Sequence, residues 1–136
     1  TYRDAWHGLA MANDFIVLTV EANEASFPTE FDYNAGGVLD SNGMVRPQEE
    51  WLYSAIEPLF DDFRERFGSQ RKSYSIYGHS AGGQFVHTFM LFKPTARVDR
   101  AVAANPAFFM MPASGEDYPF GPGKAPLKPD AMKKWF

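Results

Sequence analysis

The stretch Tyr77-Gly78-His79-Ser80-Ala81-Gly82-Gly83 constrains this chain more than any other, because it joins a strand-like segment directly to a helix-like one through a serine flanked by glycines. A turn that sharp forces its central residue into a strained backbone conformation, and small residues two before and two after it let the neighbouring chain pass without a Cβ clash. Gly78 and Gly82 occupy those two positions. The serine hydroxyl is then held out at the edge of a sheet, with the N-terminus of the next helix behind it to favour developing negative charge.

The flanking pattern supplies the fold class. Tyr2, Trp6, Leu9 and Ala10 recur at helical spacing, and Asn13-Asp14 closes that segment. Residues 15–20, Phe-Ile-Val-Leu-Thr-Val, are apolar almost throughout, as expected for a central strand covered on both faces of a parallel sheet. A long connection from Glu21 to about Arg46 carries turn chemistry at Asn34, Gly36, Gly37 and Asn42-Gly43. The next helix opens at Pro47, carries the stripe Leu52, Ile56, Leu59, Phe63 and Phe67, and can end at Gly68, with a kink or restart expected at Pro58. A short strand at Tyr74-Ser75-Ile76-Tyr77, a helix from Ala81 to Phe92 stopped by Pro94, and a strand at Arg100-Ala101-Val102-Ala103-Ala104 complete the alternation.

Helix and strand alternating in this way predict an α/β fold, a parallel sheet with helices on both faces, within a single domain. Loops leaving the C-terminal ends of parallel strands share one edge, where ligands bind. The segment after Val20, the turn at Ser80 and the segment after Ala104 are therefore expected side by side.

Composition narrows the function classes. The 136 residues are 45% apolar, enough to bury a core, and the net charge of −4 is spread with no basic face for nucleic acid. Zero cysteines exclude disulfides and thiol catalysis, and no apolar run approaches a bilayer-spanning length. The chain enters on a helical pattern at Thr1 rather than Met, so upstream sequence is expected, and compartment and oligomeric state stay open.

Gly-x-Ser-x-Gly between a strand and a helix reads as a nucleophile elbow, and with it the region from about Phe15 to Asn105 resembles the middle of the α/β-hydrolase superfamily. Residues 78–84 together with Ile56-Glu57-Pro58-Leu59-Phe60 are similar to esterases related to polyhydroxyalkanoate depolymerases and feruloyl esterases. The resemblance implies an α/β-hydrolase domain truncated at both ends, acting on a small or polymeric carboxylic ester by a two-step acyl-enzyme route without metal or organic cofactor. Ser80 would be the nucleophile, the Ala81 backbone N–H an oxyanion donor, and Gly78, His79, Gly82 and Gly83 the elbow.

The superfamily order of serine, acid and then histidine is not completed here. His87 lies in the same helix as Ser80, about 10 Å further along its axis, and Asp99, Asp117 and Asp130 carry no catalytic context. The acid and histidine are expected beyond Phe136. His79 reads as packing beside the elbow, His87 as a satisfied core histidine, and Phe27, Tyr33, Phe108, Phe109 and Met110 as candidates to line a substrate pocket. Two rivals stand beside the esterase: a serine peptidase of the same fold, and a non-catalytic binding domain that keeps the fold.

Overall fold

The computed structural model describes residues 2–111 and 115–127. In chain order the elements are helix α1 (Tyr2–Asn13), helix α2 (Glu30–Asn34), two 3-10 turns (Gln48–Glu50 and Leu52–Ala55), helix α3 (Ile56–Phe67), strand β1 (Tyr74–His79), helix α4 (Ala81–Phe92) and strand β2 (Val98–Ala104). The two strands lie side by side and parallel, in a register that pairs Ile76 with Ala101 and His79 with Ala104. Parallel neighbours need a crossover, and α4 provides it while packing on both strands.

Burial nearly all round, with the polar groups of His87 and Thr88 hydrogen-bonded, explains the place of α4. Phe85, Val86, Phe89, Met90, Leu91 and Phe92 are all buried, so this helix is the centre of the core rather than a surface element. Tyr53 and Met110 reach the same core, and the Tyr53 hydroxyl bonds with Thr88 Oγ1 and, at 3.2 Å, with the Tyr118 hydroxyl. Tyr118 in turn donates to the Ala35 carbonyl at 2.6 Å, so each buried hydroxyl has a partner. Burial pushes the phenols of Tyr53 and Tyr118 well above the usual tyrosine range.

Helices cover both faces of the sheet. Tyr74 meets Phe60 of α3 with ring centroids 4.8 Å apart, whereas Tyr77, an odd number of residues on and so on the opposite face, meets Trp6 of α1 at 5.0 Å. An ion-pair network pins α3 to the start of β2: Arg97 reaches Glu57 and Asp61, both at 2.7 Å, and Tyr74 donates to Glu57 at 2.7 Å.

Two expectations need correction. Residues 15–20 form no strand, because a strand requires a backbone partner and none of the described residues pairs with them. Instead of being covered on both faces, Phe15, Ile16, Leu18 and Val20 are between 40% and 74% exposed. The segment from Pro47 is also not one kinked helix. Trp51 takes an extended ψ of 137° between two 3-10 turns, and α3 begins only at Ile56. Pro58 therefore falls in a first turn, where its missing N–H would have had no intrahelical partner. Gly68 ends α3 as expected, in the left-handed region at φ 62°.

The long connection holds more order than its turn residues announced. Thr29 and Asp32 form a reciprocal capping box that starts α2, and the Asp32 carboxylate also pairs with Arg46 at 2.9 Å. Among the described residues no helix is long and apolar enough to cross a membrane.

Candidate active site

Ser80 sits between the last residue of β1 and the first of α4, with φ 56° and ψ −117°. That is a region L-residues avoid, and it persists only where the surroundings hold it. Three features do so. The Ser80 N–H donates to the Ala104 carbonyl at 2.9 Å, which continues the parallel ladder by one rung, and the Ser80 carbonyl accepts from the Gln84 N–H at 3.0 Å, which opens the helix. The third is the absence of a side chain at Gly78: a Cβ there would lie 1.9 Å from the Gly82 carbonyl oxygen.

Gly83 is constrained in the same way by the next strand, since its Cβ would approach the Ala104 carbonyl oxygen to 2.7 Å. Gly82 is different. Its Cβ would meet only the Tyr33 hydroxyl, at 3.5 Å, so it is the Gly82 backbone, not its missing side chain, that the tight turn uses.

The serine is exposed, and Ala81 behind it is the first residue of α4. The Ala81 N–H belongs to the first turn, whose donors have no intrahelical acceptor, and it lies at the positive end of the helix. His79 is exposed on the other side of the serine, with Nε2 3.5 Å from Asn105 Nδ2. Asn105 was not a sequence candidate. Its φ of 45° turns the chain at the end of β2, and the signal that could have found it is an asparagine, tolerant of the left-handed region, directly after a strand.

His87 is fully engaged elsewhere. Its Nδ1 bonds the Gly83 carbonyl at 3.2 Å and its Nε2 accepts the Met110 N–H at 3.0 Å. Burial holds its pKa below the usual histidine value against the opposing pull of the Gly83 carbonyl. A neutral ring that donates from Nδ1 and accepts at Nε2 satisfies both bonds.

The pocket candidates separate. Tyr33 stands nearest the elbow, stacked on Phe85 at 6.0 Å and beside Gly82. Phe27 is half-buried against the core, Phe108 packs on Phe120 at 4.6 Å, and Phe109 lies exposed against the His87 ring at 5.2 Å. Met110 is 1% exposed in the core, so its side chain offers nothing to a substrate. Among the carboxylates, Asp99 accepts the Ser75 hydroxyl at 2.8 Å and Asp117 pairs with Lys124 at 2.6 Å, while Asp130 lies outside the described residues. Next to the elbow runs an open apolar cleft of about 580 Å³, lined on one side by residues 15–20 and Ala22 and on the other by β1.

No protein-family model matches the chain, and no curated protein does. Solved structures do. The chain is similar to poly(aspartic acid) hydrolase-1 from Sphingomonas sp. KT-1, with 48% identity and a TM-score of 0.92 over 97% of this chain and 50% of that one. It is also similar to LpqC, a poly(3-hydroxybutyrate) depolymerase from Bordetella parapertussis, with 27% identity and a TM-score of 0.87 over 96% of this chain and 46% of that one. The chain thus spans about half the length of either hydrolase. Sharing their fold over nearly its whole length, with a strained serine at the turn from a parallel strand into a helix, the chain has the α/β-hydrolase fold of these two hydrolases.

Proposed function

We propose that the protein is a serine hydrolase that cleaves carboxyl-derived bonds in a polymer, with Ser80 as the nucleophile. The observation that carries this reading is the backbone of Ser80, at φ 56° and ψ −117° between β1 and α4, since a residue strained in this way needs a reason to be kept. In the proposed mechanism Ser80 Oγ attacks the substrate carbonyl carbon while a general base takes its proton. The tetrahedral oxyanion lies against the Ala81 N–H at the N-terminus of α4. The carbon–nitrogen or carbon–oxygen bond then breaks, the leaving amine or alcohol takes the proton, and water hydrolyses the acyl-serine in a second, mirrored step. With both ring nitrogens of His87 occupied, the base and its carboxylate come from outside the described residues.

The substrate class follows the neighbours. Poly(aspartic acid) is joined by amide bonds, and the protein named for its hydrolysis shares 48% identity with this chain, which favours an amide-linked polymer. A polyester is the second reading, supported by the depolymerase at 27% identity. Gel filtration of poly(aspartic acid) and poly(3-hydroxybutyrate) digests, run with the protein as the cell makes it, separates the two. Chain shortening together with a fluorophosphonate adduct on Ser80, both lost in Ser80→Ala, is the expected result. Hydrolysis that survives Ser80→Ala would remove Ser80 from the reaction, and a protein that neither labels nor hydrolyses would leave the binding-domain reading.

A further inference from the structure

We propose that Asn105 is a specificity-determining residue of this site, its side-chain oxygen accepting the N–H of the amide bond under attack at Ser80. This role rests on the protein being a serine hydrolase and deepens that reading, since an ester presents no N–H there. Four non-glycine residues among those described have a positive φ: Asp14, Ser80, Asn105 and Lys124. Two of them, Ser80 and Asn105, directly follow the paired strands β1 and β2. The Ser80 N–H donates to the carbonyl of Ala104, the residue before Asn105, so the two strained residues end neighbouring strands side by side.

Glycine takes this backbone conformation at no steric cost, whereas asparagine takes it at some cost. An asparagine kept where glycine would fit leaves a side-chain amide to be accounted for. Its neighbours hold its backbone in place. β2 ends in the bond to Ser80 on one side, and Pro106, whose ring fixes φ, follows on the other. α4 closes on both at Gly83, where a Cβ would lie 2.7 Å from the Ala104 carbonyl oxygen and 3.3 Å from the Pro106 nitrogen. A side chain on so fixed a backbone is a precise place from which to reach a substrate.

The amide also has a defined direction. Asn105 Nδ2 lies 3.5 Å from His79 Nε2, and a neutral ring with its proton on Nδ1 accepts there. The contact is long, so it sets which end of the amide faces the ring without consuming the other end. Oδ1 makes no hydrogen bond to any described residue. Asn105 and His79 are both exposed beside the exposed Ser80, so Oδ1 is an acceptor open to the group that Ser80 attacks.

An amide and an ester differ at the atom next to the attacked carbonyl carbon, which is an N–H in one and an oxygen with lone pairs in the other. Oδ1 pairs with the N–H but meets the ester oxygen acceptor against acceptor. A site that hydrogen-bonds a substrate N–H discriminates against the analogue lacking it, because its own polar group is then left unpaired. Asn105 therefore bears on the choice between an amide-linked polymer and a polyester, on which the two solved neighbours divide.

Values of kcat/KM for a short aspartic acid oligomer and for its analogue with oxygen in place of the scissile N–H, measured on the protein as the cell makes it, test this. Asn105→Gly keeps the turn at φ 45° and removes the acceptor, whereas Asn105→Asp keeps an acceptor in place. The expected result is that Asn105→Gly lowers the ratio of amide to ester kcat/KM about tenfold, while Asn105→Asp stays within about threefold of the wild type. A ratio unchanged in Asn105→Gly would overturn the proposal. So would equal losses in the two variants, which would assign the effect to shape rather than to the acceptor. Hydrolysis of the amide oligomer that survives Ser80→Ala, or that the wild type lacks, would instead remove the serine-hydrolase reading and this role with it.

Discussion

A Cβ on Gly78 would lie 1.9 Å from the carbonyl oxygen of Gly82, far inside any real contact, so the strand cannot enter this turn unless residue 78 lacks a side chain. Gly82, four residues on, has ordinary space around its own Cβ position. The glycine pair that looks symmetrical in the sequence is therefore not symmetrical in energy. Gly78→Ala is expected to destabilise the protein by about 3 kcal/mol or more, because backbone rather than a flexible side chain must move. Gly82→Ala, within the first turn of α4, is expected to change stability by about 0.5 kcal/mol or less. Urea unfolding of the two variants decides the matter, and equal losses would contradict it.

Ser80 holds its strained backbone, φ 56° and ψ −117°, with no substrate bound. Ser80→Gly relieves that strain at no steric cost, and is expected to stabilise the fold by about 1 kcal/mol after the larger unfolded-state entropy of glycine is counted. The same variant loses hydrolysis, since the attacking oxygen is gone. Denaturation midpoints read with activity check both halves, and a destabilised Ser80→Gly would argue that the serine side chain, not function, holds the turn.

His87 gives the fold a dependence on pH. Its folded pKa lies below the ordinary value of 6.5, chiefly through burial, so the unfolded chain binds the proton more readily than the folded one. Stability is full above about pH 6.5 and falls as the pH drops from there toward the folded pKa, with a slope of at most about 1.4 kcal/mol per pH unit for one proton. A protonated ring can no longer accept the Met110 N–H, so the segment after β2 should loosen first. Denaturation at stepped pH, compared with His87→Gln, is the measurement, and an unchanged pH profile in the variant would show that other groups set it.

Glu57 acts in the opposite range. Burial pushes its carboxyl up, but the hydrogen bonds from Tyr74 and Arg97 and the Arg97 charge outweigh that and bring it below 4.5. Its contribution is present above about pH 4.5 and is lost as the pH falls through the lowered folded value. Glu57→Gln is expected to cost about 1 kcal/mol at neutral pH, a modest figure because the pair is partly open to solvent, and less below pH 4. Stability curves at pH 7 and pH 3.5 test the sign.

The strand, turn and helix around Ser80 were legible because their signals are local. Residues 81–92 are rich in apolar residues and bounded by a glycine-rich turn and Pro94, so the helix was readable end to end. The capping box at Thr29 and Asp32 was equally local, being a threonine followed three residues later by an acid, and it was there to be read. Residues 15–20 were not, because an apolar run states that a strand is wanted without stating whether a partner is in reach. His87 and Met110 show the same limit: they are 23 residues apart, and nothing in the sequence joins an imidazole on α4 to an N–H beyond β2.

The sequence by itself determined the alternation of elements and the place of a serine at a strand-to-helix turn, since periodicity, glycines and prolines act over a few neighbouring residues. Only the tertiary structure decided which glycines are indispensable and where the histidine's two nitrogens are spent. Each of those depends on backbone atoms from distant segments meeting within a hydrogen bond's length or a van der Waals radius, and that proximity arises when α4 packs across both strands.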